Sequence, residues 1–426
     1  KNKRSKRQVL IFCCSAFVVV GFFLSWGTRV GRVYETLTRK RAFFGVLRTT
    51  PPLETRPATT NAVLQLLKGK EVVNANPSRG EESAVPASYV GHDWFGAQEV
   101  WKSVPGLDAC QKRTKDPCTN PPLPYTRRPP LIGHVGIGHL ERAEKSHQVR
   151  LQLLLRNLEE IRSGLTKMLH QIKSPGPVVV MAIDENGFIL FQNFLESCRM
   201  AKIDIARSLV IFPTSRKLHT QLVEMGLVSF WSDCLGGTLT SSKIHGFPDS
   251  PSEDVMWLKT VSVWLVLNCG RDLVCQDADV VWLRNPIPFL KDNTSIFEGF
   301  DSDVLFQHSG SSSNIRAPYF ACSGFFFLKS NSRVQEFWTS LLFESMTSFW
   351  NTQEAPINML LGKSCRIGLR VNVLCEHVFV SGRIMLQLES GLVGHQNILP
   401  VMMHVNWTPD IHKKIQRLKA LGLWLI

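Results

Sequence analysis

The segment Leu273-Val-Cys-Gln-Asp277-Ala-Asp279-Val-Val-Trp-Leu283 places a pair of carboxylates inside what otherwise reads as buried strand. A solvated turn here would have to interrupt Leu273 and Val274 on one side and Val280, Val281, Trp282 and Leu283 on the other. Two carboxylates one residue apart at a strand end can share a hard divalent cation that keeps positions open for phosphate oxygens. On the residues alone, that reading stands beside an ordinary structural turn.

The surroundings of this pair predict an α/β fold. Pro177 to Ile183 is a continuous apolar run, typical of a strand covered on both faces, and Asp184-Glu-Asn186-Gly187 follows as a turn. Phe188 to Met200 then predicts a helix, Ser208 to Phe212 a strand, and Ser215 to Met225 a helix. Val255 to Leu267 predicts a further helix, stopped near Gly270, and Leu273 to Gln276 the strand that delivers Asp277 and Asp279. Strand–helix alternation with short connections makes a layered fold whose ligand crevice lies at the carboxyl ends of the strands.

At 426 residues the chain has room for a large domain and further segments. Its formal net charge of +14 is unevenly placed: positions 1–150 hold 24 basic and 11 acidic residues, the remainder 25 and 24. A nucleic-acid-binding domain would carry its basic patch on the folded part, so that class is disfavoured. Val9 to Trp26 carries no charge and is long enough to cross a bilayer, with Lys1, Lys3, Arg4, Lys6 and Arg7 before it. This favours an uncleaved anchor at 9–26 behind a cytoplasmic tail at 1–8, with a cleaved signal peptide as the alternative. Either sends the rest of the chain into a secretory lumen.

Positions 27–138 are rich in Pro, Thr and Arg without a sustained period, and read as an extended stem. Over 139–173 the pattern becomes helical: Leu151, Leu154, Leu158, Ile161, Leu165, Met168 and Ile172 form a heptad seam. Such a seam would serve a homodimer through 151–172, or equally a single helix packed on the domain that follows at 174–426. Outside the apolar N-terminal segment stand nine cysteines, an odd number that leaves at least one unpaired or bridging chains in an oxidising compartment. None shows zinc-site spacing. Sequons occur at Asn293 and Asn406.

Five segments in order carry a family resemblance: 256–290 around the acidic pair, SDVLFQ at 302–307, CSGFFFLKSN at 322–331, TQEAPIN at 352–358, and MHVNW at 403–407 with trailing Lys413, Leu418 and Trp424. Over roughly Val178 to Trp424 the chain resembles the nucleotide-diphospho-sugar transferase family. Its members include pectin α-xylosyltransferases, extensin arabinosyltransferases and a slime-mould α-galactosyltransferase. The resemblance implies a GT-A type fold, a Rossmann-like nucleotide-sugar-binding sheet with flanking helices. It also implies retaining transfer from a UDP-sugar to a glycan or glycoprotein acceptor, with Mn²⁺ or Mg²⁺. The anchor and stem suit a single-pass type II Golgi membrane protein.

Carried over by residue, the resemblance gives Asp279 to the metal and Asp277 to the ribose or the metal's water shell. His404 would complete the metal site, and Lys259 would face the diphosphate. Asp184 and Asn186 would cradle the nucleoside, while Gln353 and Glu354 would line the acceptor side of the sugar. Taken without the family, His404 reads as a core histidine, Lys259 as a solvated helix lysine, and Asp184 and Asn186 as an ordinary turn. Two positions depart from the family pattern: Thr352 stands where an acid is usual, and Cys322 where an Asn is usual. Those departures motivate a second expectation, a catalytically inactive lumenal homologue that acts as a binding partner. Asn406, close to His404, is expected to carry no glycan.

Overall fold

The computed structural model describes residues 137–172, 174–235, 253–291, 301–310, 319–343, 354–361, 364–392, 400–408 and 410–426. The expected anchor at 9–26, nearly all of the stem, Thr352, Gln353 and the Asn293 sequon lie outside them. No helix among the described residues is long and apolar enough to cross a membrane.

Two helices, α1 (Ile137–Arg156) and α2 (Leu158–Leu169), replace the single helix expected over 139–173. The break falls at Asn157, whose backbone leaves helical geometry at φ −107° and ψ 13° and whose side-chain amide also donates to Leu153 O at 2.8 Å. The apolar seam faces inward: Leu154, Ile161, Leu165 and Ile172 are buried in the main core, with Leu151, Leu158 and Met168 packed at its margin. The chain thus spends this stripe on its own interior. Arg150 fastens α1 to a later helix, Glu253–Asn268, by an ion pair with Asp254 at 2.5 Å, and His147 packs edge-on against Trp257 of that helix.

The strands and helices beyond residue 174 alternate as the apolar pattern predicts. β1 (Val178–Ile183) is buried at every position, which explains its unbroken apolar run. α3 (Phe188–Met200), β2 (Leu209–Pro213) and α4 (Arg216–Glu224) follow, α4 being capped by Ser215 Oγ, which accepts from Leu218 N. α5 (Glu253–Asn268) is buried at every position from Trp257 to Leu267, because it lies between the sheet and α7 (Ser332–Phe343). β3 (Leu273–Gln276), β4 (Val280–Trp282), α6 (Ile287–Lys291), β5 (Val304–His308) and β6 (Ala321–Leu328) lie between those two helices in sequence. After α7 come α8 (Glu354–Leu361), β7 (Val371–Leu374), β8 (Phe379–Ser381), α9 (Gly382–Glu389), β9 (Met402–His404) and α10 (Ile411–Ala420).

Six strands form a central sheet in the order β2-β1-β3-β6-β5-β7. β1, β2 and β3 are parallel, β6 runs antiparallel to both β3 and β5, and β5 is parallel to β7. The carboxyl ends of β1, β3 and β5 and the amino end of β6 therefore share one edge. A small sheet, β4-β9-β8, stands beyond that edge, with β4 antiparallel to β9 and in register Val280 with His404. One apolar cluster fills the α1, α2, α5 and α7 side of the large sheet, and a second fills the α3 and α4 side. A third lies between the small sheet and α9 and α10. At the opposite edge of the large sheet Asp303 is clamped by Arg333 and Arg370, at 2.7 and 3.1 Å.

Candidate active site

Asp277 immediately follows β3 and Asp279 immediately precedes β4, so the acidic pair lies where the chain leaves the large sheet for the small one. The Asp277 N–H donates to Gly324 O at 2.9 Å, and the Val405 N–H donates to Asp279 O at 3.1 Å. Backbone pairing of β4 with β9 then brings His404 alongside. Its Nε2 lies 3.3 Å from Asp279 Oδ1 and 3.9 Å from Asp277 Oδ2.

The three residues offer ligand atoms all within 4.8 Å of one another. Two carboxylates and an imidazole suit a hard divalent cation such as Mn²⁺ or Mg²⁺. Gly324 makes the gathering sterically feasible: a Cβ there would come within 2.0 Å of His404 Cε1 and 2.7 Å of Asp277 Oδ2. The residues therefore fit a cation, and the two isolated readings of a plain turn and a core histidine give way to one cluster.

Two ammonium groups border this cluster. Lys259, on α5 and buried, donates to Asp277 Oδ1, and Lys414, on α10, donates to Asp279 Oδ2 at 2.8 Å. Burial alone would lower the Lys259 pKa, yet Asp277 above all its neighbours keeps it raised and the ammonium charged. Burial alone would raise Asp279, yet Lys414 and His404 hold it well below the usual carboxylate range. His404, fully enclosed, is pushed up to about 10, burial being outweighed by Asp279. A bound cation would displace that proton, because a metal ligand must be the neutral imidazole.

Behind the ligands lies a second set of contacts. Gln307 Nε2 donates to Phe379 O and Val380 O, which turns its Oε1 towards His404 Nδ1 at 2.8 Å. Nδ1 is then the donor, and Nε2 faces the carboxylates. Cys322, buried on β6, has its Sγ 3.8 Å from His404 Nδ1 and accepts from Gly324 N at 3.3 Å and Asn406 Nδ2 at 3.6 Å. Burial pushes its thiol pKa up, and the charge of Glu354 pushes it further. Asn406 Oδ1 in turn accepts from Gly382 N at 2.5 Å, so both ends of that amide are engaged inside the fold. Only glycine fits at 382, since a Cβ would sit 1.8 Å from Asn406 O.

The expected nucleoside turn borders the same edge. Asp184 Oδ1 accepts from Gly187 N at 2.8 Å, burial raises its pKa, and Gly187 lies against Ala278, the residue between the two aspartates. Asn186 is exposed on that turn. Glu354 sits in the first turn of α8, whose Asn358 donates to Glu354 O and Ala321 O, both at 2.8 Å, and accepts from Ala321 N at 2.9 Å. Gln353 is not among the described residues. Three contributors escaped sequence reasoning: Lys414, Gln307 and Gly324. The trailing basic residue named by the resemblance was Lys413, but its backbone N–H serves the Asp410 cap, and the side chain that reaches the cluster is Lys414. Gln307 and Gly324 lie within resemblance segments that give no individual roles.

A β-arabinofuranosyltransferase of Arabidopsis thaliana, RAY1, is 23% identical over 53% of this chain and 44% of its own length. The UDP-D-xylose:L-fucose α-1,3-D-xylosyltransferase 3 of the same plant is 24% identical over 38% of this chain and 44% of its own. The chain thus matches less than half the length of these relatives. Mouse xyloside xylosyltransferase 1 in its apo form shares 11% identity with a TM-score of 0.35, covering 55% of this chain and 99% of that structure. The description nucleotide-diphospho-sugar transferase matches residues 215–418, a span that runs from the N-cap of α4 to α10 and holds the acidic pair, Lys259, His404 and Lys414. Over these residues the chain is similar to the nucleotide-diphospho-sugar transferase family.

Proposed function

We propose that the chain is a metal-dependent, retaining glycosyltransferase of GT-A type that moves a xylose, galactose or arabinose from a UDP-sugar to a glycan or glycoprotein. The observation that carries this reading is the Asp277, Asp279 and His404 cluster with Lys259 and Lys414 on its carboxylates. When bound, Mn²⁺ or Mg²⁺ supplies neutralisation of the diphosphate as it leaves. Asp279 and His404 would hold the ion, and Asp277 would contact it or its water shell.

The protein's own residues complete the site. With a cation held by the carboxylates, Lys259 and Lys414, which here pair with Asp277 and Asp279, would be free to direct their charge to the phosphate oxygens. Asp184 and Asn186 border the nucleoside. The bond from the anomeric carbon to the phosphate oxygen breaks as the acceptor hydroxyl bonds to the same face, and the hydroxyl proton passes to the departing phosphate oxygen. Glu354 or Gln353 would stabilise the positive charge that develops on the anomeric carbon. For the whole protein we place the catalytic part in the Golgi lumen, behind the apolar 9–26 segment as a type II anchor.

UDP release from a panel of UDP-sugars by the full chain, with Mn²⁺ and with chelator, tests the reading against an Asp279→Ala control. Metal-dependent release with one donor, lost in the control, is the expected result. A folded protein that binds Mn²⁺ and UDP but releases nothing with any donor and acceptor would favour the inactive homologue that Cys322 and Thr352 suggested.

A further inference from the structure

Trp407 combines two features that seldom coincide in a stable fold. Its backbone is left-handed, with φ +64°, and its side chain is 52% exposed. A single exposed apolar residue needs no explanation. A bulky residue held at positive φ does, because its Cβ crowds the backbone and only surrounding structure can impose it.

The imposing contacts are visible. On the chain before it, Asn406 is locked between Gly382 N and Cys322 Sγ. On the side chain, the indole N–H donates to Ser309 O at 2.5 Å, and the adjoining Gly310 O is held by Arg383 at 2.8 Å. With the N–H spent on the protein, Trp407 offers the outside an apolar ring surface in one fixed orientation. That is what a sugar ring's C–H face requires of a protein: an immobile aromatic plane at small entropic cost.

Its place in the sheet decides which sugar. Ser309 follows β5, two strands across from β3 in the order β1-β3-β6-β5, a spacing of about 10 Å from the acidic pair. The Asp184 turn lies on the other side of that pair, after β1. We infer that Trp407 is the stacking platform of an acceptor-glycan subsite, on the flank of the metal cluster opposite the nucleoside turn. The inference rests on the proposed glycosyl transfer for the word acceptor, and on the geometry alone for the sugar-binding surface.

Saturation-transfer NMR of the full chain with methyl β-xylopyranoside, methyl α-arabinofuranoside and methyl β-galactopyranoside tests it, beside calorimetry of UDP binding with Mn²⁺. Wild-type protein and Trp407→Phe should transfer saturation to at least one glycoside, and Trp407→Ala should lose about tenfold in affinity for it. UDP binding should stay within about twofold in all three, which also reports that the variants are folded. Equal signals in wild type and Trp407→Ala, or none from any glycoside in the wild type, would overturn the subsite. Weaker UDP binding in Trp407→Ala with unchanged glycoside binding would assign the ring to the donor and overturn it as well. Absence of Mn²⁺-dependent UDP binding, with glycoside signals that still follow the ring, would remove the nucleotide-sugar reading and leave the sugar platform standing.

Discussion

Gln307 Oε1 accepts the Nδ1 proton of His404 at 2.8 Å, while its own amide nitrogen is held by two carbonyls of β8. The tautomer and ring angle of the expected metal ligand are therefore set by a residue that never touches the ion. Replacing Gln307 by Leu should weaken Mn²⁺ binding roughly 10–100-fold. Electron-spin titration of free Mn²⁺ measures this directly, and an unchanged dissociation constant in a folded variant would show that His404 is oriented by other means.

Lys414 and Asp279 form a second pair of consequence, at 2.8 Å with Asp279 almost wholly buried. Removing Lys414 leaves buried Asp279 with His404 as its remaining charge partner, at a cost of up to about 3 kcal/mol. Lys414→Met should thus lower the melting temperature of the metal-free protein by up to roughly 6–12 °C, using the thermal scaling of a domain of this size. Mn²⁺ should restore most of the loss, since the cation takes over Asp279. A melting point unmoved by the substitution, or equally low with saturating Mn²⁺, would mean that Lys414 is not the charge partner of Asp279.

Gly324 is a steric test of the same cluster. A methyl group there meets His404 Cε1 at 2.0 Å, closer than any contact that relaxation of a side chain alone can absorb. Gly324→Ala should abolish measurable Mn²⁺ binding and cost at least about 2 kcal/mol of stability. Wild-type metal affinity in that variant would show that His404 does not approach β6 in solution.

How much of this was written in the sequence differs from element to element. β1, α3, α4, α5 and β3 were legible within a residue or two, because each is either continuously apolar or bounded by capping and turn residues. The seam over 151–172 was legible as a stripe but not as to what it faces, since periodicity reports an apolar face and not its partner. The α1–α2 break is a change of backbone angles at the single residue Asn157, which a continuous helical period masks. Asp277 and Asp279 stood out by their setting in apolar strand, whereas His404 alone reads as a core histidine. Only the antiparallel register of β4 with β9 unites them, across more than a hundred residues of sequence. Lys414 and Gln307 sit in elements whose role depends on that same long-range pairing, so no local pattern singles them out.

Asp303 should make the fold sensitive to acid. Burial alone would raise its pKa, but Arg333, Arg370 and the Arg370 N–H hold it well below the ordinary carboxylate range. A depressed folded value means stability that is fully present above the unfolded pKa of about 3.9 and drains as pH falls towards the folded value. Asp303→Asn should therefore melt lower than wild type at pH 6–7, roughly neutral conditions, with the gap narrowing below about pH 4. Melting curves of both proteins across that window check the sign; a gap that widens in acid would contradict it.

Asn358 ties the start of α8 to β6. Its amide closes a two-way hydrogen bond with the backbone of Ala321, one residue before Cys322, and also donates to Glu354 O at the start of α8. The first turn of α8, with Glu354, is thereby fixed against the strand that backs the metal cluster. Asn358→Ala leaves Ala321's buried N–H and C=O without this side chain, so a loss of about 1–3 kcal/mol is expected from structure alone. A merely structural role would stop there. If Asn358 positions Glu354 for the transfer step, kcat should fall by at least about tenfold while the KM for the UDP-sugar and the Mn²⁺ affinity stay within about threefold. Asn358→Asp, which keeps the acceptor for Ala321 N but loses both donors, should fall between the two. Steady-state kinetics at a temperature where every variant is folded separates these outcomes, and a kcat equal to wild type in Asn358→Ala would remove the residue from the positioning of Glu354.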